Sequence, residues 1–259
     1  MKRRSSFSRV VFFITMFFLF MPLFVLLVYS FNESRSGSWT GFSLRWYVRL
    51  FTDSPNLWRA LGNSAIVALG SATAATVIGT LGAVGVNWYR FRLRGYLRTI
   101  TFLPMILPEI IIGVSLLIFF SGIGMRLGLF TVFIAHTSFN LPFVFLLVLA
   151  RLEEFDFSII EAARDLGASE KQTLFRVILP ISMPGIISGF LTAVTLSLED
   201  FVITFFVTGP GATTLPLFVY SAIRFGVSPV INALSVVMIL GTVLLSWSMR
   251  NFLKYIAAK

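Results

Sequence analysis

Along the chain, long uncharged apolar runs alternate with short polar connections. The first run spans Val10 to Phe31, behind Lys2, Arg3, Arg4 and Arg9. Ala60 to Tyr89 carries no charge, and Thr99 to Met125 carries one, Glu109. Leu127 to Ala150 holds a single ionisable side chain, His136. Val177 to Leu198 is uncharged, ends at Glu199-Asp200 and continues apolar to Thr208, and Phe225 to Met249 completes the series. About 20 apolar residues at 1.5 Å per residue cover a hydrocarbon core, so each run suffices for one crossing. The pattern predicts an all-α integral membrane protein of six transmembrane helices, one domain over residues 1–259. A signal peptide has a shorter apolar core, about 7–15 residues, and a small-residue cleavage site. Phe31-Asn32-Glu33-Ser34 offers none. A retained helix is expected, with cleavage as the alternative.

Composition narrows the classes. Of the 259 residues, 57% are hydrophobic and 12% charged, with a mean hydropathy of +0.89. Soluble domains carry about 25% charged residues, so too little polar surface is present for a cytosolic enzyme or a disordered chain. The absence of cysteine removes disulfides, thiolate metal sites and cysteine nucleophiles, and a lone histidine leaves little for a metal centre. The net charge of +10 raises the question of nucleic acid. Its distribution answers it. With the N-terminus inside, Lys2, Arg3, Arg4, Arg9, Arg90, Arg92, Arg94, Arg98, Arg151, Arg164, Lys171, Arg176, Arg250, Lys254 and Lys259 fall on the cytoplasmic side. Only Arg35, Arg45, Arg49, Arg59, Arg126 and Arg224 fall outside. Positive residues gather inside and both termini are cytoplasmic, so the charge reports topology and no nucleic-acid partner is expected.

In the second run Gly79, Gly82 and Gly85, with the pairs Ala75/Gly79 and Gly79/Ala83, predict close approach of a neighbouring helix. The one long soluble-like stretch is 151–180, with ten of the chain's 32 charged residues. Ser158-Ile159-Ile160-Glu161 fits a capping box that opens a short helix, and Gly167 fits its left-handed C-terminal cap. Ser169 to Gln172 opens a second helix in the same way, with Pro180 expected to close it. A helix–Gly–helix hairpin is longer than a mere connection needs, which suggests a docking surface.

Glu161-Ala162-Ala163, three residues, Gly167, nine residues and Val177-Ile178-Leu179-Pro180 resemble the "EAA" loop of permease subunits in binding-protein-dependent ABC importers. Val177 departs mildly from the isoleucine favoured there. Ser30-Phe31-Asn32, Trp46-Tyr47, Arg151-Leu152, Leu198-Glu199-Asp200, Phe206 to Pro210 and Gly226-Val227-Ser228-Pro229 extend the likeness, from about Pro22 to Asn251. They look like the spermidine/putrescine permease subfamily. The resemblance implies a type I importer permease fold in a bacterial inner membrane. It also implies a heterodimer with a second, homologous permease, two ATPase subunits and an extracytoplasmic solute-binding protein. It makes 151–180 a cytoplasmic coupling loop, with Glu161, Ala162, Ala163, Asp165, Gly167, Leu179 and Pro180 engaging the ATPase. The chain has no Gly-Lys dipeptide and hence no Walker A loop, so it is not expected to be an enzyme or to hold a cofactor. ATP and Mg belong to the partner ATPases.

Carboxylates within a membrane are costly and default to function. Glu109, following Pro104 and Pro108, sits near the middle of helix three, and Glu199 and Asp200 in the outer part of helix five. Two acids at two depths, with Phe139, Phe201 and Phe205 as aromatic walls or simply as core, suit a flexible polyamine chain. Buried structural pairing is the alternative for each acid. His136, Thr137 and Asn140 read as interhelical hydrogen-bonding groups. Thr208 to Gly211 reads as a turn, and Leu215 to Phe225 as an interfacial or re-entrant segment. Trp46, Tyr47 and Trp58 read as interfacial anchors. Two functional alternatives stand beside polyamine import: an importer for an opine or amino-acid-derived cation, and an ion-coupled carrier using the same acids.

Overall fold

The computed structural model describes residues 6–35, 38–154, 156, 158–224 and 229–257, with side chains between residues 7 and 244. Lys2, Arg3, Arg4, Lys259 and the stretch from Phe225 to Ser228 lie outside the described residues. Apart from one isolated bridge, Asn32 to Phe42, the described residues are helical or irregular. The elements are α1 (Ser6–Tyr29), α2 (Arg45–Thr52), α3 (Pro55–Trp88), α4 (Arg94–Thr101), α5 (Leu103–Ile106), α6 (Glu109–Gly122) and α7 (Leu129–Glu153). The chain continues with α8 (Ser158–Asp165), α9 (Glu170–Thr173), a π turn (Leu174–Ile178), α10 (Leu179–Glu199), α11 (Val202–Val207), α12 (Leu215–Arg224) and α13 (Pro229–Ala257). Four helical stretches are long and apolar enough to span a bilayer: Phe7–Tyr29, Pro55–Trp88, Leu129–Glu153 and Glu170–Glu199. A bent pair, Arg94–Ile106 with Glu109–Gly122, makes a fifth if it is one span, and Pro229–Leu244 is a shorter apolar helix.

Two of the expected straight helices are broken. The third run bends by 105° between Ile106 and Glu109. Leu107 is extended, with ψ of 138°, because a residue before proline is driven out of the helical region. Glu109 is therefore the first residue of α6 and not a mid-helix residue. The fifth run does not continue to Thr208 as one helix. Asp200 turns extended, at φ −64° and ψ 122°, and the chain restarts as α11. Pro180, expected to end a helix, does not. The π turn immediately before it widens the spiral, with the Leu179 amide reaching back to the Leu174 carbonyl, and the helix runs on through the proline.

The chain divides into two compact units, residues 56–218 and residues 1–55 with 219–259. In the larger unit α7 and α10 form the principal helix pair. Small residues set their separation: a Cβ on Gly185 would stand 2.8 Å from Arg151 Cβ, and one on Gly189 3.1 Å from Val144 Cγ1. Gly79 brings α3 equally close, 3.0 Å from Val144 Cγ1, whereas Gly85, expected to share that role, faces open space. Ala72, Ala75, Ala83, Val144, Val148, Leu149 and Ala193 fill the resulting core.

In the smaller unit α13 packs on α1 and on α2. Its connection after α1 is a folded knot. Asn32 Nδ2 donates to the Ser38 carbonyl at 2.8 Å while its Oδ1 accepts from the Thr40 amide at 3.0 Å. Trp46 is 2% exposed and donates Nε1–H to the Asn32 carbonyl at 2.7 Å. It is the knot's core and not an interfacial anchor, as the sequence had suggested, because its indole N–H finds a buried carbonyl partner there. Tyr47 hydroxyl meets Ser30 Oγ at 2.7 Å.

Candidate functional site

The hairpin at residues 151–180 is anchored by two isoleucines. Ile160 and Ile178 are buried in the same cluster as Val84, Val86 and Leu152, which fixes the short α8 to the ends of α3 and α7. Its entry differs from the expected capping box: the Ser158 amide donates to Asp156 Oδ1 at 2.9 Å, so Asp156 supplies the acceptor assigned to Glu161. Those hydrogen bonds from Ser158 hold the Asp156 carboxyl below its ordinary value. The exit agrees with expectation. Gly167 has φ of +82°, its amide reaches the Arg164 carbonyl at 2.8 Å, and the Ala168 amide reaches Ala163 at 3.0 Å. These are the two bonds of a Schellman cap. The second capping box is also present: the Ser169 amide donates to Gln172 Oε1 at 2.8 Å and the Gln172 amide to Ser169 Oγ at 3.3 Å.

The side chains this scaffold presents are chemically mixed. Glu161, Ala162 and Asp165 are exposed, Ala163 and Leu179 are half-buried, and Pro180 is exposed. Leu166, at the tip beside Gly167, is 89% exposed, and no feature of the spacing singled it out. A rigidly capped tip with an exposed leucine ringed by charge is suited to insertion into a groove on another protein.

The second site lies where the broken helices meet. α6 packs on α11 at Gly113, whose Cβ would come 3.4 Å from Ile203 Cα. This brings Glu109 into electrostatic reach of Glu199 and Asp200. The three acids nevertheless differ. Glu109 and Glu199 are exposed, whereas Asp200 is 7% exposed and saturated with hydrogen bonds. Its Oδ2 accepts from Thr204 Oγ1 at 2.7 Å and the Thr204 amide at 2.8 Å, and Oδ1 from the Ile203 amide at 3.2 Å, which caps α11. His136 Nε2 adds a fourth contact at 3.0 Å. Nε2 also lies 2.9 Å from Thr204 Oγ1, and Nδ1 faces Ser197 Oγ at 2.6 Å. Ser71 Oγ continues the chain, 3.3 Å from Ser197. Of the polar group expected on the fourth helix, His136 and Asn140 reach α10, Asn140 through the Ala193 carbonyl at 3.2 Å. Thr137 bonds back to Phe133 in its own helix.

Of the candidate aromatics, Phe201 and Phe205 pack together with centroids 5.7 Å apart at the break. Phe139 belongs to the buried cluster of Val67, Phe120, Val132 and Ile203, which is the core alternative left open for it. Among the described residues no group of three metal-ligating side chains occurs.

Residues 75–259 match the family described as binding-protein-dependent transport system inner membrane component. The spermidine/putrescine transport system permease protein PotC of Escherichia coli (strain K12) is 42% identical over 223 residues, 86% of this chain and 84% of that protein. The putrescine transport system permease protein PotI of the same strain is 43% identical over 249 residues, 93% of this chain and 88% of that protein. Among solved structures, a bacterial ABC transporter involved in the import of the acidic polysaccharide alginate aligns with a TM-score of 0.75 at 17% identity, covering 97% of this chain and 98% of that one. The MetNI methionine ABC transporter, in an inward-facing conformation, aligns with a TM-score of 0.57 at 22% identity, covering 74% of this chain and 90% of that one. At such identities these structures speak for the fold alone.

Proposed function

The chain belongs to the family of binding-protein-dependent transport system inner membrane components, and on that premise we propose that it is a polyamine-importing permease subunit of an ATP-driven transporter. The observation that carries the solute class is the 42% and 43% identity, over most of the chain, to permeases of spermidine/putrescine and putrescine systems. In this reading the chain crosses the inner membrane six times with both termini cytoplasmic. It pairs with a homologous permease, receives cargo from an extracytoplasmic binding protein, and leaves ATP and Mg to two ATPase subunits. The capped hairpin from Ser158 to Ile178 engages an ATPase at the cytoplasmic face. Its buried isoleucines transmit that motion to α3 and α7 as a rigid body.

Glu109 and Glu199 are the acids offered to a passing ammonium group, with Phe201 and Phe205 beside them. Asp200 and His136 hold the helix break open and set where Glu199 points. An exposed pair of carboxylates suits weak, multi-point binding, which a transit site needs in order to release its cargo.

The test is uptake of labelled spermidine and putrescine into proteoliposomes holding the whole complex, with ATP and a proton gradient supplied separately. Uptake that needs ATP and the binding protein, and that excess opine leaves unaffected, is the expected result. Gradient-driven uptake without ATP would sink the importer reading. Preferential uptake of the opine would keep the machinery but replace the solute.

A further inference from the structure

Beside the hairpin, a cleft is lined by Asn87, Trp88, Arg90, Arg94, Ile160, Glu161 and Arg164. Its lining carries three arginines and a single carboxylate, Glu161. Elsewhere on this face arginines are paired: Arg98 with Glu153 at 2.6 Å and Arg151 with Glu154 at 2.8 Å. Among the described residues Arg90, Arg94 and Arg164 have no carboxylate within 4.0 Å, so the cleft keeps an excess of positive charge. Asn87, 9% exposed, adds a side-chain amide to the lining. Arg164 lies over the Trp88 ring with Cζ 5.9 Å from its centroid, which presets its planar fork without neutralising it. Guanidinium forks and an amide donor in one concavity match the oxygens of a phosphate.

The surroundings choose the source of that phosphate. Arg90, Arg92, Arg94 and Arg98 are interleaved with Tyr89, Phe91, Leu93, Tyr96 and Leu97, and all five of these apolar or aromatic residues are exposed. Basic residues among exposed aromatics are the composition of a segment lying at a charged membrane surface. An apolar recess lined by Val84, Leu152, Ile178 and Ile181 adjoins the cleft and shares Asn87, Trp88 and Ile160 with it. We propose that this cleft is a binding site for the headgroup phosphate of an anionic phospholipid, held by Arg90, Arg94 and Arg164. The lipid then ties the hairpin, through Arg164, to the turn between α3 and α4.

The measurement is lipid retention. The chain, purified with whatever subunits accompany it from bilayers of phosphatidylglycerol and phosphatidylcholine, is released from detergent and its bound lipid counted by native mass spectrometry. Retained phosphatidylglycerol is expected to fall about tenfold in R90Q/R94Q and to fall also in R164Q, and to persist in R92Q, which lies outside the cleft. Unchanged retention in the cleft variants would overturn the site. So would an equal loss in R92Q, which reports general surface charge. Displacement of the lipid by millimolar inorganic phosphate would show that free phosphate is the ligand and overturn the lipid assignment. None of these readouts requires transport, so their failure is separate from failure of the importer reading.

Discussion

Asp200 and Glu199 are neighbours in sequence but occupy opposite circumstances, and the difference predicts opposite phenotypes. Neutralising Glu109 or Glu199, both exposed, removes charge without disturbing packing. Glu109→Gln and Glu199→Gln should each keep assembly and lower polyamine uptake at least tenfold, about 1.4 kcal/mol. Wild-type uptake by both would make these acids bystanders. Asp200 holds the start of α11 through Ile203 and Thr204 and is itself oriented by His136. His136→Ala leaves part of a buried carboxylate unpaired, at a cost of about 1–3 kcal/mol. The expected result is a lower melting temperature of the purified complex, with Asp200→Asn milder because an acceptor oxygen survives. Equal melting of His136→Ala and wild type would show that the network carries no stability.

Elements are where the hairpin is decided. Gly167 sits at φ +82°, where a β-branched side chain is strained, so Gly167→Val should cost roughly 1–2 kcal/mol locally. The membrane helices would still insert, but substrate-stimulated ATPase activity should fall, and full stimulation would remove the coupling role. At the other end, Asp156 caps α8 through the Ser158 amide, and those bonds depress its carboxyl. A depressed acid lends its stability above its unfolded value of about 3.9 and loses it as pH falls through the lower folded value. At neutral pH the cap is fully present, so Asp156→Ala should speed amide exchange in the first turn of α8 and leave α9 unchanged. Where α7 meets α10, a Cβ at Gly185 would press on Arg151 Cβ at 2.8 Å and the Leu147 carbonyl at 3.0 Å. Gly185→Val should therefore destabilise by about 1–3 kcal/mol, visible as reduced yield of assembled complex.

At the scale of the whole molecule the open question is sidedness, and the cysteine-free chain makes it accessible. Leu166 at the hairpin tip and Asp53 at the end of α2 are both exposed. In intact cells, an impermeant maleimide should label Asp53→Cys after passage through the outer membrane and should label Leu166→Cys only after the inner membrane is opened. The reverse pattern would invert the topology. The described apolar side chains of α1 are nearly all exposed within the chain, so its surface is one that the bilayer or another subunit has to cover.

What the amino-acid order determined was whatever depends on near neighbours or on solvent. Apolar runs of span length require a bilayer or a core, whatever else they touch, so the helical membrane class was legible. Gly167 and the Ser169–Gln172 box were legible because caps close within one helical turn, between residues at most five apart. The 105° bend before Glu109 was not legible. The run through Pro104 and Pro108 reads as one helix with Glu109 at its middle, and the break depends on what α6 packs against. Beyond such ranges only the folded chain could decide. The sequence holds His136 and Asp200 as two separate polar residues on apolar runs, 64 positions apart; the packing of α7 against α10 and α11 makes them partners. It holds Trp46 as an interfacial aromatic until the knot around Asn32 buries it. It ends a helix at Pro180 until the π turn gives the ring room. Each is settled by contacts distant in sequence, whose free energy exists only once the helices have come together.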